Sequence, residues 1–542
     1  MILNKLKALG MATVLALAGI GLSACKDDSN NQQANVPAAS SNMQFTIVSG
    51  SENEPLKPIL DRFAATQGAT IKFISKGSVD IMLDLEQGKS IDADAVWPAA
   101  NMWLALGDKQ RVVKHAQSIY RTPVVLAVKK SKAEKLGWVG KDVKVADILR
   151  AAKSGQLRFM MSSATQSNSG SSAYFGFLYA FAGSPEVLTL EDLDKPTVQT
   201  QIKSILGTVD RTAGSSNWVK DLFLKQYMYY DAMVNYEALA IETNQELVQR
   251  NQEPLYLVYP VDGLSIADSP LGYVSKGDAA KEAFFQKLQE YLLSEPVQNE
   301  LLSIGRRTGF GGNVTKADPK IFNPAWGIDI NKTLVPINMP AADVIHKGLT
   351  LYQVAFRKPS ITALVIDYSG SMQGNPENQL EIAIDGLLNQ QIAAQQFLQA
   401  SPDDVTIVVP FSGSPWAHKV VKGNSPTELT SLSEWVRALS ANGGTDIYAP
   451  VVTAMEEIKK IPGWEDYSVS VILMTDGRSD GSFQQMKDRI AALNMTGVPI
   501  YSILFGDASR NQLDAIADWS NARVFDGKKD LIKAFRQAKG YN

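Results

Sequence analysis

The chain has 542 residues, with 53 Lys and Arg against 56 Asp and Glu, 45% apolar and 20% charged side chains, and a formal net charge of −3. That balance excludes a basic nucleic-acid surface, and no stretch interleaves aromatic with basic residues. The length allows about three globular units, and outside the first 42 residues the composition is that of ordinary globular chains.

Lys5 and Lys7 precede an apolar run over 8–21, which ends in Leu22-Ser23-Ala24-Cys25. This segment reads as a secretory signal closed by a lipobox and resembles those of bacterial lipoproteins. The resemblance implies cleavage after residue 24, lipidation of Cys25 and membrane attachment through the lipid. A single membrane-spanning anchor is the weaker reading, because the run falls short of the roughly 20 residues a span needs. Cys25 is the chain's only cysteine, so neither a disulfide nor a zinc site accounts for it. Residues 26–42, rich in Asn, Gln, Ser and Ala, are expected to form a disordered tether reaching roughly 20–25 Å. By the same resemblance, Lys26 rather than Asp after the Cys favours the outer membrane in a two-membrane cell, with the protein facing the periplasm or cell exterior.

From residue 43 short strands alternate with amphipathic helices, which implies a parallel sheet. Strands are expected at 44–48, 70–74, 93–97, 121–128, 157–161 and 255–260. Helices are expected at 56–66, where Leu56, Ile59, Leu60 and Phe63 share a face, at 79–87 and at 174–181. Residues 281–307 read as an amphipathic helix, a Ser294-Glu295-Pro296 break and a Gly-Arg turn. This order resembles the two-lobed extracellular solute-binding proteins of the periplasmic type and assigns 43–325 to such a module. Strand-end loops would then converge between lobes, giving Ser49, Ser51, Gly77, Ser78, Trp97, Arg121, Ser167, Asn168, Ser169, Asp231, Tyr236 and Asp262 as candidate solute residues. The Ser/Gly loop at 167–172, ahead of a helix, could offer backbone N–H groups to an anion, and equally reads as a solvated helix cap. An oxyanion or carboxylate-bearing solute is expected, while Asp231 and Asp262 leave a cationic one open.

Residues 326–359 form a connector, in which Val344, Ile345, Leu349, Tyr352 and Phe356 share one helical face and predict packing. Residues 360–542 read as doubly wound α/β, with strands at 361–366, 405–411, 469–474, 500–505 and 523–525 and helices at 377–399, 431–439, 447–459, 483–493, 512–519 and 531–539. The strand runs are nearly continuous in apolar residues, as strands covered on both faces should be. The first strand ends in Asp367-Tyr-Ser369-Gly-Ser371; Gly443-Gly444-Thr445-Asp446 follows, and a later strand closes on Thr475-Asp476-Gly477. Two carboxylates and three hydroxyls, with no His or Cys, make a hard oxygen site suited to Mg²⁺ or Mn²⁺. The set resembles the metal-ion-dependent adhesion site (MIDAS) of von Willebrand factor type A (vWA) domains. That resemblance implies Asp367, Ser369, Ser371, Thr445 and Asp476 as metal residues, and a protein partner that offers an Asp or Glu to the metal.

Nucleophilic hydrolysis has little support: no G-x-S-x-G motif is present, and only His115, His346 and His418 could serve a Ser-His-Asp arrangement. Gly88-Lys89-Ser90 resembles the end of a phosphate-binding loop, but Leu83 stands where its first Gly must be. The two halves together resemble bacterial lipoproteins that join a solute-binding module to a C-terminal vWA domain. The expectation is a lipid-anchored, non-enzymatic binding protein that docks a protein partner through its metal. The alternative is the solute-binding component of a membrane transport system, with the vWA part as an accessory.

Overall fold

The computed structural model describes residues 43–314 and 317–540. The signal segment, Cys25 and the tether lie outside the described residues. No helix among the described residues is long and apolar enough to cross a membrane.

The opening strand, Met43–Gly50, pairs in parallel with Ala69–Lys76 and Ala95–Trp97. Parallel neighbours need a crossover, and the helices Lys57–Thr66 and Ser78–Leu85 supply them. Ile59, Leu60 and Phe63 face inward as expected, against Phe45 and the aromatic pair Phe284 and Phe285 of the helix Ala279–Leu293. Pro270–Val274 and Val113–Ser118 complete this first lobe, and Pro270–Val274 runs antiparallel to both its neighbours. The second lobe carries Ile266–Ala267, Thr122–Lys129, Ala232–Tyr236, Phe159–Ser162 and Val209–Ala213 in that order, with Leu255–Val258 also on Thr122–Lys129. Thr122–Lys129 again runs antiparallel to its neighbours. The sheets are therefore mixed rather than parallel. The antiparallel strands are those entered as the chain passes from one lobe to the other, without a crossover helix to reverse its direction.

Two further differences are local. The first strand is followed by a 3₁₀ helix, Ser51–Leu56, so the helix expected from 56 begins at Lys57, and the helix expected at 174 already begins at Asn168, so Ser169, Ser171 and Ser172 are helical and buried. The closing helix breaks where Ser-Glu-Pro predicts, into Ala279–Leu293 and Glu295–Ser303.

The connector is a helix, Ala342–Leu351, that widens into a π-helical turn, Tyr352–Phe356. Val344, Ile345, Leu349, Tyr352 and Phe356 are all buried against the second lobe. Each such side chain contributes roughly 1.5–3 kcal/mol when fully removed from water. The Tyr174 hydroxyl donates to the Gly348 carbonyl at 2.8 Å, and the rings of Tyr174 and Tyr352 stand 5.3 Å apart, edge to face.

The C-terminal sheet runs Lys419–Lys422, Val405–Phe411, Ser360–Asp367, Ser468–Thr475, Ile500–Leu504, Val524–Asp526. All pairs are parallel except the edge strand Lys419–Lys422, which the sequence reading missed. The expected long helix over 377–399 is two, Asn375–Leu388 and Gln390–Gln395, because Asn389 interrupts and caps the second. The described residues of lobes, connector and C-terminal domain belong to one compact unit.

Candidate functional site

An oxygen-lined rim is built where parallel strands of the C-terminal sheet end. Asp367 is the last residue of Ser360–Asp367 and is fully buried. Its Oδ1 accepts the Ser369 N–H at 2.7 Å, which folds the chain back over the strand end, and its Oδ2 accepts the Thr475 hydroxyl at 2.5 Å. The Ser369 and Ser371 hydroxyls lie 3.1 Å apart, and Ser371 donates to Asp476 Oδ1 at 2.7 Å. The Gly370 N–H donates to the Gly443 carbonyl at 3.0 Å, which draws the Gly-Gly-Thr loop onto the same rim. The Thr445 hydroxyl then lies 2.8 Å from where a Cβ on Gly477 would sit, so only glycine allows this approach. Asp446, next in sequence, is diverted: its carboxylate accepts the Tyr448 N–H at 2.9 Å and caps the helix Tyr448–Lys459. The structure thus brings Asp367, Ser369, Ser371, Thr445 and Asp476 together. Thr475 is the addition; it was visible as the Thr of the Thr-Asp-Gly motif but had no assigned role.

Burial raises the Asp367 carboxyl above its usual range, against hydrogen bonds from Thr475 and Ser369, and the nearby Asp476 adds to the rise. Burial raises Asp476 too, against the Ser371 hydroxyl. Among the described residues neither carboxylate has a Lys, Arg or His within ion-pair distance, and no group of three or more His, Cys, Asp or Glu side chains is poised around a metal position. The donors are two carboxylates and neutral hydroxyls, and this all-oxygen set, lacking a protein counter-cation, fits a small hard divalent cation.

The three histidines are engaged elsewhere. His115 Nε2 sits 2.7 Å from Glu282, His418 is paired with Glu457 at 3.2 Å, and His346 lies 5.5 Å from the Phe397 ring.

The inter-lobe cleft presents a different picture. Ser49 accepts from Asn53 at 3.0 Å, Ser78 accepts the Ala99 N–H at 3.1 Å, and the Trp97 indole donates to Ser269 at 2.9 Å. Ser51 meets Ser216 across the lobes at 3.2 Å. Asn168 accepts from the Trp103 indole at 2.8 Å and donates to the Tyr236 hydroxyl at 3.0 Å. Ser167 and Ser169 form a hydroxyl chain with Ser162. Gly77 sits where a Cβ would fall 2.1 Å from the Gln166 carbonyl, and the next-but-one amide, Val79, donates to that carbonyl at 3.3 Å. Arg121 exchanges backbone hydrogen bonds with Arg307 where the chain passes between lobes. Two candidates lie away from the cleft. Asp231 precedes strand Ala232–Tyr236, at the end opposite Tyr236, where it accepts the Arg158 N–H at 2.9 Å and pairs with Lys132. Asp262 accepts the Val145 N–H at 2.9 Å, at the start of the helix Val145–Lys153. Both act as local caps, which a sequence cannot distinguish from ligand carboxylates.

The sequence reading missed the ions that join the lobes. Arg306, fully buried, pairs with Glu242 and donates to the Glu52 carbonyl at 2.9 Å, and Arg307 grips Glu237 with two bonds of 2.7 Å. The Gly-Arg turn was the signal for them. Burial pushes the Glu52 carboxyl up to about 7, against its backbone hydrogen bond and the Arg306 charge. Alongside lies a cavity of about 460 Å³ between lobes and C-terminal domain, lined by Glu54, Asp80, Asp221, Asp514, Asp518 and Asp526 with Lys76, Arg510 and Arg523.

Fold and rim define a two-lobed α/β binding module followed by a doubly wound domain with an oxygen-lined strand-end site. Residues 45–309 match the family model for bacterial extracellular solute-binding proteins, and residues 363–535 match that for von Willebrand factor type A domains. The chain joins a solute-binding-type domain to a C-terminal vWA domain. An uncharacterized protein of Synechocystis sp. is 26% identical over 188 residues, 33% of this chain and 41% of that protein, so the match spans under half of that relative. Among solved structures, the sulfate-binding protein SubI from Mycobacterium tuberculosis is 15% identical, over 56% of this chain and 96% of that one, with a TM-score of 0.38. The periplasmic binding protein AfuA from Actinobacillus pleuropneumoniae, with fructose-6-phosphate bound, is 13% identical over 58% and 100%, with a TM-score of 0.44. A von Willebrand factor type A protein from Catenulispora acidiphila is 18% identical over 34% and 43%, with a TM-score of 0.28.

Proposed function

We propose that the chain is a lipid-anchored, extracytoplasmic, non-enzymatic binding protein whose vWA rim holds Mg²⁺ or Mn²⁺ and docks a protein partner through it. The observation that carries this reading is the convergence of Asp367, Ser369, Ser371, Thr445 and Asp476 on one rim, with no Lys, Arg or His among the described residues paired to either carboxylate. Ser369, Ser371 and Thr445 would present hydroxyl oxygens, and Asp367 and Asp476 would hold those hydroxyls in place and balance charge. When bound, the cation supplies an electrophilic site that a partner's Asp or Glu can engage. The lipobox supports the anchor, and the solute-binding family supports an extracytoplasmic location. Glu54 and Asp221 at the module junction favour a cationic solute over the anionic one expected from the serines.

Calorimetry of the full chain with Mg²⁺ or Mn²⁺ tests the metal, and capture from detergent extracts in Mg²⁺ against EDTA tests the docking. A protein partner lost on chelation supports the reading. A permease retained regardless of metal would instead establish the transport alternative. Replacing Cys25 by Ala should release the protein from membranes or leave it uncleaved, and unchanged detergent-requiring attachment after signal cleavage would remove the anchor.

A further inference from the structure

The last helix of the vWA domain, Leu531–Lys539, reaches the mouth of the cleft between the lobes of the other module. Its Arg536 side chain is 4% exposed, although it belongs to neither lobe. The guanidinium is ion-paired with Asp80, which is itself 4% exposed and stands on the first-lobe helix Ser78–Leu85. It also donates to the Thr165 carbonyl of the second lobe at 3.4 Å and to the Gln396 carbonyl of the vWA domain at 3.3 Å. The Arg536 carbonyl in turn accepts from the Gln166 side chain at 2.8 Å. Thr165 and Gln166 belong to the loop that follows strand Phe159–Ser162, and the Gln166 carbonyl accepts the Val79 N–H from the first lobe. One arginine therefore ties together the two segments at which the lobes already touch. One turn earlier on the helix, Lys533 lies 3.3 Å from Asp84 of the same first-lobe helix. Burial lowers the Arg536 guanidinium to about 10, so it stays charged at neutral pH and needs the carboxylate it has found.

We propose that the cleft mouth is a guanidinium receptor, made of the Asp80 carboxylate and the main chain at Thr165, and that its resident ligand is Arg536 of the chain's own vWA domain. The lobes are then held together by the vWA domain, without a free solute. The receptor also defines a ligand class, because a guanidinium or amidinium compound competes for the same groups. This inference does not depend on metal at the rim, and the two can fail separately.

The test is hydrogen exchange of the full chain at residues 78–85 and 163–168, the two sides of the receptor. In Arg536→Ala both segments should exchange at least about tenfold faster than in the wild type, and millimolar guanidinium chloride should restore much of the protection. Asp80→Asn should expose the same segments, and guanidinium should not restore them, because the carboxylate is gone. Exchange within twofold of the wild type at both segments, in folded Arg536→Ala or in Asp80→Asn, would overturn the proposal. So would faster exchange confined to the last helix, or a failure of guanidinium to restore protection in folded Arg536→Ala. Should Arg536→Ala fail to fold, Asp80→Asn decides the question by itself, since it keeps the helix and removes only the charge of the receptor.

Discussion

The vWA rim and the inter-lobe cleft are both made of polar residues at the ends of strands, yet they spend those residues differently. At the rim, carboxylates and hydroxyls bond to one another, and among the described residues no cationic side chain pairs with Asp367 or Asp476. In the cleft, the buried arginines have protein carboxylates as partners: Arg306 has Glu242, Arg307 has Glu237, and Arg536 has Asp80. The difference teaches that strand-end polarity alone does not mark a ligand site. What matters is whether the polypeptide has already supplied the counter-charge.

The comparison breaks most sharply at Arg306. Removing Arg306 leaves Glu242 to Lys220 and takes the donor from the buried Glu52 carbonyl, so Arg306→Met should cost about 3 kcal/mol of folding stability, the low end for a broken buried pair. Chemical denaturation measures it, and a loss below about 1 kcal/mol would show that the cleft ions do not hold the lobes.

At the rim the expected effect lies in binding instead of folding. Asp476→Ala should weaken Mg²⁺ or Mn²⁺ binding by about 10–100-fold or more while leaving the metal-free melting temperature little changed. Calorimetry on variant and wild type decides, and equal metal affinity would dismiss the rim as a cation site.

Glu52 sharpens the contrast through pH. Its carboxyl titrates near 4.5 in the unfolded chain and near 7 in the folded one. Between those values the native state binds the extra proton, so this contribution to stability is complete below about pH 4.5 and is lost as pH rises through about 7. Glu52→Gln cannot ionise, and should exceed the wild type by roughly 1–3 kcal/mol above pH 7. Denaturation midpoints from pH 5 to 8 that run parallel in the two proteins would contradict the buried, protonated carboxyl.

The smallest expected effect is a pair of serines. Ser51→Ala removes a hydrogen bond across the cleft and should cost about 1 kcal/mol of stability. Ser369→Ala should cost metal affinity and little stability. The reverse assignment, with Ser369 the stabilising one, would undo the distinction drawn between the two sites.

The rim was legible in the sequence because each of its parts is a local pattern: Asp-x-Ser-x-Ser and Thr-Asp-Gly close strands, and Gly-Gly-Thr stands in the loop between two helices. The cleft was less so, because its ions pair residues with no local signature, such as Arg306 with Glu242 or Asp80 with Arg536. Asp231 and Asp262 drew attention as carboxylates near strand ends, but a cap and a ligand look alike before the strand directions are known. Nearly continuous apolar runs gave the five parallel strands of the vWA sheet within about a residue, whereas Lys419–Lys422 escaped because a short, lysine-flanked edge strand has no such run.

That edge strand has a consequence for how copies of the protein behave when crowded. An open sheet edge is a template for pairing with another chain and for aggregation, and lysines placed on it oppose such pairing. Lys419 and Lys422 bracket one edge of the vWA sheet. The opposite edge, Val524–Asp526, lies against the second lobe, where Arg211 donates to the Asn521 carbonyl at 2.8 Å and Arg523 stands 5.3 Å from the Trp218 ring. One edge is thus guarded by charge and the other by the neighbouring module, so a vWA domain cut free of that module would expose an unguarded strand and should self-associate more readily than the intact chain.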